Sequence, residues 1–226
     1  IPINEVNYSS VTKGESLEDT IRTLECYADA LVLRHYDEDA TKRAVSVASI
    51  PLINAGNGAG EHPTQALLDL YTIFKERGRI DGLTITLMGD LKHGRTVHSL
   101  VKLLRMYDVK LNFVSPQELS MPSSYLMNED SKYLDLDPII EDTDILYVTR
   151  VQRERLADTM VIDFSYAVTR EDMDRAKDNM VLMHPLPRVG EIPAELDSDP
   201  RASYFRQMKY GLHVRMALLV SMIGRD

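Results

Sequence analysis

Leu83-Thr-Ile-Thr-Leu-Met88, Gly89-Asp-Leu-Lys-His-Gly94 and Arg95-Thr-Val-His-Ser-Leu-Val-Lys-Leu-Leu104 follow one another without a break, and their order decides the fold. The first piece is an apolar run of strand length and the second a loop bounded by glycines. The third carries Val97, Leu100, Val101 and Leu104 at i, i+3, i+4 and i+7, one face of a helix. Strand, loop and helix in that order form the repeating unit of a parallel sheet with crossover helices.

The alternation extends both ways along the chain. Downstream, Val109–Val114, Ile145–Thr149 and Met180–Met183 read as buried strands with helical material between them. Upstream, Ser16 and Asp19 make a capping signal before Leu17, Ile21, Leu24 and Ala28. Ala30–Leu33 reads as a strand, Asp39–Ala48 as a helix, and Ile50–Ala55 as a second strand that runs into the glycine-rich turn 56–60. Pro63 opens a helix bearing Leu67, Leu68, Tyr71 and Phe74, and Gly78 ends it. The expected class is α/β, with two parallel-sheet domains joined by helices. Residues 1–66 form the first domain, 67–79 the linking helix and 80–200 the second domain. The helix within 201–226, striped by Phe205, Met208, Leu212, Met216 and Leu219, is expected to pack back on the first domain. Residues 128–144, with seven acids against one lysine, read as a solvated connection.

The chain has 226 residues, 44% hydrophobic and 27% charged, which is enough apolar material for a buried core. Its net charge of −9 has the wrong sign for wrapping a polyanion, so nucleic acid is not an expected partner. The longest apolar run, Met216–Ile223, is far short of the ~20 residues that cross a bilayer, so no membrane association is expected and the chain reads as cytoplasmic. Cys26, the single cysteine, lies in the apolar stripe of the first helix and reads as a small buried hydrophobe. The sequence opens on Ile1 rather than Met, which raises the expectation of a preceding segment.

Open parallel sheets bind ligands outside the carboxyl ends of their strands, and here those positions hold cations and hydrogen-bonding groups. Arg34-His35 follows the first strand, Glu61-His62-Pro-Thr-Gln65 the second, and Lys92-His-Gly-Arg95 the third. Arg150-Val-Gln152 and His184-Pro-Leu-Pro-Arg188 follow two more. Each group alone has a plain structural reading, as a surface cation, a helix cap or a rigid loop. Their shared position at strand ends favours a site. In the last motif the prolines donate no N–H and bar a helix, so carbonyls stay open to an amino group.

Gly89 to Thr96 nearly matches a phosphate loop, with Arg95 in the lysine position, so a nucleotide-binding enzyme is an alternative. Against it, the loop interior lacks further glycine, and the strand at 145–148 ends in Thr149-Arg150 where a metal-binding Asp is wanted. His93 and His98 are five apart, not the spacing that puts two metal ligands on one helical face, and no metal or other cofactor is expected.

Asn54-Ala-Gly-Asn-Gly-Ala-Gly-Glu-His-Pro-Thr-Gln-Ala-Leu-Leu-Asp69, the segment 89–99, Leu146-Tyr-Val-Thr-Arg-Val-Gln152 and Met183-His-Pro-Leu-Pro-Arg188 together resemble the aspartate carbamoyltransferases, and the tail from Asp199 looks most like the eukaryotic forms, including those inside multifunctional pyrimidine-synthesis proteins. The resemblance implies carbamoyl transfer from carbamoyl phosphate to L-aspartate. It implies that Arg34, His62 and Gln65 engage carbamoyl phosphate, with Arg34 and His62 catalytic at the carbonyl oxygen. It further implies that Arg95, Arg150 and Gln152 hold the aspartate carboxylates, and that the Pro185 and Leu186 carbonyls receive the carbamoyl amino group. Ser9 and Lys13 resemble a mobile loop that reaches a neighbouring subunit's site, which implies a homotrimer.

The sequence departs from this family in one respect: the family's Ser-Thr-Arg-Thr-Ser phosphate-binding run does not occur in it, so this stretch alone is expected to be catalytically incomplete. The stretches 121–144 and 157–169 also look short for the family. Two alternatives stand beside the aspartate enzyme: an ornithine-using relative, and a noncatalytic trimeric scaffold within a larger assembly.

Overall fold

The computed structural model describes residues 13–58, 60–152 and 166–224. The chain divides into two compact units, Ile1–Thr64 with Arg215–Asp226, and Gln65–Val214. Residues 67–79, set apart as a link by the sequence reading, fall within the second unit.

In the first unit, α1 (Leu17–Glu25) starts where expected, its Ser16 side chain accepting the Asp19 N–H at 3.1 Å. Strands β1 (Leu31–His35) and β2 (Leu52–Asn57) pair in parallel, with α2 (Ala40–Val47) between them in sequence. Cys26 corrects the reading of it as a core residue. It caps α1 beyond the last helical residue, off the face that buries Ile21, and is exposed.

The second unit begins along α3 (Pro63–Arg77) and is built on β3 (Thr84–Met88), α4 (Arg95–Leu104), β4 (Lys110–Val114), β5 (Ser131–Tyr133), β6 (Ile145–Val148), α5 (Arg170–Arg175), β7 (Val181–Met183) and α6 (Tyr204–Ile223). All five strands are parallel, in the order β5-β4-β3-β6-β7. Successive strand side chains face opposite sides of a sheet, and two cores result. Ile85, Leu87, Leu111, Phe113, Ile145, Tyr147 and Met183 face one side together with Val97, Leu100, Val101 and Leu104 of α4. Met88, Val114, Leu146, Val148 and Leu182 face the other, with Met173 and Tyr204.

Two expectations change in this unit. The acid-rich stretch 128–144 is not simply solvated: it contains β5 and buries Leu136, Ile139 and Ile140. Asp130 pairs with Arg105 (2.8 Å) and Asp144 with Arg77 (3.1 Å) and Lys177 (3.0 Å). Arginine and lysine partners neutralise these two acids. The apolar stripe of the last helix is not its buried face either. Phe205, Leu212 and Met216 are exposed, and Tyr204, Gln207 and Gly211 are buried instead.

Among the described residues, no helix is long and apolar enough to cross a membrane.

Candidate active site

The chain leaves β3 toward β4 and β5 on one side of the sheet, and later returns to β6 and β7 on the other. That makes the β3–β6 boundary a topological switch point, where the connections diverge and where open parallel sheets characteristically bind ligands. Gly89 makes the boundary tight. Its φ is +118°, and a Cβ there would lie 2.2 Å from the Thr149 carbonyl oxygen, so only glycine lets the two strand ends approach this closely.

Three sets of expected site residues lie at adjacent strand ends of this unit. Arg95 is the first residue of α4, just past β3, and is half-buried. Arg150 and Gln152 follow β6, both half-buried, and Pro185 and Leu186 follow β7. The Gln152 side chain donates to the His93 carbonyl at 2.8 Å, and its backbone N–H donates to Asp90 Oδ2 at 3.1 Å. Asp90, fully buried, also accepts the His93 backbone N–H at 3.0 Å through Oδ1. One carboxylate thus ties the loop after β3 to the segment after β6.

The loop after β7 is held from within. His184 is buried, and its Nδ1 accepts the Leu186 N–H at 2.9 Å, so its Nε2 carries the proton donated to Glu191 at 2.8 Å. Burial opposes ionisation of Glu191, but bonds from His184 and from backbone N–H groups outweigh it and hold the carboxyl below its ordinary value. Leu186 adopts φ +53°, a left-handed conformation that L side chains rarely take. Such conformations persist where surrounding bonds over-determine them and cluster at ligand sites. Arg188, which closes the motif, is engaged in a structural triad: it donates to Asp197 Oδ2 at 2.7 Å and to the Tyr204 hydroxyl at 2.9 Å.

Gln65, in the first turn of α3, is buried and donates to Asp69 Oδ1 at 2.8 Å. In the first unit, Arg34 lies near the end of β1 and is exposed, His62 lies after β2 and is half-buried, and Lys13 is exposed. The turn between β2 and His62 is built on Asn57. Its Oδ1 accepts the Glu61 N–H at 2.9 Å and its Nδ2 donates to the Glu38 carbonyl. Gly58, at φ +50°, has no room for a Cβ, which would meet the Tyr36 carbonyl oxygen at 2.3 Å. Ser9 lies outside the described residues.

Sequence reasoning missed Asp69, Asp90, Tyr147, Glu191 and Gln207, all of which lock site segments. A signal existed for Asp69, which stands one helical turn after Gln65 on a face otherwise headed for the core.

Residues 2–75 match the aspartate/ornithine carbamoyltransferase carbamoyl-P binding domain, and residues 81–222 the Asp/Orn binding domain of the same family. The chain is 53% identical over 225 residues to the multifunctional protein pyr1-3 of Dictyostelium discoideum, covering 96% of this chain and 10% of that protein. It is 49% identical over 232 residues to the aspartate carbamoyltransferase catalytic subunit of Thermoplasma acidophilum, covering 99% of this chain and 76% of that one. Among solved structures, aspartate transcarbamoylase from Trypanosoma cruzi in complex with carbamoyl phosphate superimposes with a TM-score of 0.92 at 46% identity, covering 98% of this chain and 74% of that chain.

Proposed function

Because the chain belongs to the aspartate/ornithine carbamoyltransferase family, we propose that the protein containing it transfers the carbamoyl group of carbamoyl phosphate to L-aspartate in pyrimidine biosynthesis. The aspartate nitrogen attacks the carbamoyl carbon, the bond from that carbon to the phosphate-bridging oxygen breaks, and the amine loses a proton. The products are N-carbamoyl-L-aspartate and phosphate. The donor arrives activated, so the protein's task is to hold two anions together and to stabilise charge as it develops on the carbonyl oxygen.

The observation that carries this reading is the grouping of Arg95, Arg150 and Gln152 at the carboxyl ends of neighbouring strands on either side of the switch point. Planar guanidinium groups suit the paired carboxylates of a dicarboxylic amino acid. Ornithine, with a cationic side chain, would meet like charge there. Pro185 and Leu186 supply carbonyl acceptors for the carbamoyl amino group, and Gln65 joins them. Arg34 and His62 act at the carbonyl oxygen. Ser9 and Lys13 come from a neighbouring subunit of a homotrimer, and the protein works in the cytoplasm. Its relatives include multifunctional proteins, and fusion to other enzymes of the same pathway fits that company.

Incubation of the full-length protein with carbamoyl phosphate and L-aspartate tests the reading. N-carbamoyl-L-aspartate is the expected product, with tight binding of a phosphonoacetyl-L-aspartate bisubstrate compound. Citrulline from L-ornithine would make it the ornithine enzyme. Neither product, with no phosphonate binding, would leave a scaffold.

A further inference from the structure

Asp69 has no solvent exposure and is surrounded by hydrogen-bond donors from the first turn of its own helix, from β6 and from α6. Its Oδ1 accepts from Gln65 Nε2 at 2.8 Å and from Gln207 Nε2 at 2.6 Å, and its Oδ2 accepts from the Tyr147 hydroxyl at 2.7 Å. Tyr147 remains a donor throughout the working pH range, because burial, and then the nearby Asp69 charge, push its hydroxyl well above the ordinary value.

The chemistry of these partners fixes direction. A carboxylate oxygen can only accept, so each glutamine must turn its NH2 toward Asp69 and its carbonyl oxygen away. For Gln65 this leaves Oε1 facing away from Asp69, with no hydrogen bond to any described residue. For Gln207 it aims Oε1 at the backbone N–H of His184, which it accepts at 3.0 Å. His184 in turn holds Leu186 through Nδ1. A single buried oxygen therefore sets the polarity of one amide on α3 and, through Gln207 and His184, anchors the loop that bears the Pro185 and Leu186 carbonyls.

We propose that Asp69 is the positioning residue of the carbamoyl subsite: by accepting from Gln65 and Gln207 together, it presents three acceptors, Gln65 Oε1 and the carbonyls of Pro185 and Leu186, and so selects a donor whose acyl group carries N–H bonds. The inference rests on the reading of Gln65, Pro185 and Leu186 given above. Its consequence is a specificity, for carbamoyl phosphate over acetyl phosphate, which has the same phosphate and carbonyl but a methyl group in place of NH2.

The test compares binding of the two phosphates to the full-length protein by competition with the bisubstrate phosphonate. The wild type is expected to favour carbamoyl phosphate. Asp69→Leu removes the shared acceptor and keeps a side chain branched at Cγ. It should lower that preference by about tenfold, the effect of one hydrogen bond to a buried group, while acetyl phosphate binds as before. Asp69→Asn keeps an oxygen that can face both glutamines, and should retain most of the preference. Equal weakening of both ligands in Asp69→Leu, or an unchanged preference, would reduce Asp69 to a structural residue and overturn the proposal. Should Asp69→Leu not fold, Gln207→Met cuts the arm to His184 and must also lower the preference, and an unchanged ratio there overturns the proposal equally. A wild type without any preference would instead remove the reading of the subsite on which the inference stands.

Discussion

The carboxylate of Asp90 and the backbone N–H of Gln152 meet at 3.1 Å across the boundary between β3 and β6. The bond joins the loop that leads to Arg95 with the segment that bears Arg150, so the two proposed aspartate-binding arginines share one buried anchor. Asp90→Ala would release that segment while leaving Gln65 and the loop after β7 intact. We expect the KM for aspartate to rise about 10- to 100-fold, the usual effect of losing a hydrogen bond to a charged buried group, with the affinity for carbamoyl phosphate unchanged. Steady-state kinetics with each substrate varied in turn would check it. A parallel rise in both KM values would refute it.

Arg95 itself should separate the two substrates in the same way. Removing its guanidinium in Arg95→Ala deletes a charge-assisted contact of ~1.5–3 kcal/mol, so the apparent aspartate requirement rises about 10- to 100-fold. Binding of a small phosphonate analogue of carbamoyl phosphate should be nearly unaffected. Calorimetric titration of that analogue measures the second half of the prediction, and equal loss of both ligands would reassign Arg95.

The proposed trimer with shared sites gives a complementation test. Lys13→Ala and Arg34→Ala chains are each expected to be inactive alone. Mixed trimers should regain activity, because some sites then combine an intact Lys13 from one chain with an intact Arg34 from another. Verified mixed trimers with no activity would argue that each chain builds its own site.

Gly89→Ala tests the switch point mechanically. The new Cβ would meet Thr149 O at 2.2 Å and the backbone would be held at φ +118°. Steric conflict with a neighbouring strand, together with a disfavoured φ, costs on the order of 3 kcal/mol, and each kcal/mol lowers Tm by roughly 2–4 °C in a chain of this size. Thermal unfolding followed by circular dichroism reads this directly, whereas Gly78→Ala, with open space around its Cβ, carries only the strain of its φ of +72°.

What the sequence made legible follows the strength of its periodicities. The α4 stripe of Val97, Leu100, Val101 and Leu104 is buried as its spacing requires, and the strands beside it are continuous apolar runs because both faces of a parallel sheet are covered. β5 escaped notice because Ser131-Lys-Tyr133 is a three-residue edge strand without an apolar run. The anchors were hidden for a different reason. Asp69, Thr72 and Gln65 are buried on α3 while Phe74 is exposed, which reverses the rule that polar residues mark the solvent face. The reversal is detectable only once Tyr147 and Gln207, 78 and 138 residues further on, are seen to bring their donors. The groups proposed to face ligand sit at or just past strand ends and can be read from local order. The groups that orient them depend on contacts between distant segments.

Asp197, Arg188 and Tyr204 predict opposite pH effects on stability at the two ends of the scale. Bonds from Arg188, and then from the Tyr204 hydroxyl, hold Asp197 at about 2, against an ordinary 3.8. A depressed folded value means that the carboxylate stabilises the fold above the unfolded pKa, and that this contribution disappears as pH falls from about 4 toward 2. Burial, and then Asp197, push Tyr204 up to about 12 from 10.0, so the folded state keeps its phenol proton longer and stability is lost as pH rises from 10.0 toward 12. Asp197→Asn should therefore flatten the acid limb of a plot of denaturant midpoint against pH, and Tyr204→Phe the alkaline limb. If Asp197→Asn left the acid slope between pH 4 and 2 as steep as in the wild type, other carboxylates would have to account for it, and the ion pair between Arg188 and Asp197 would not be a source of acid-dependent stability.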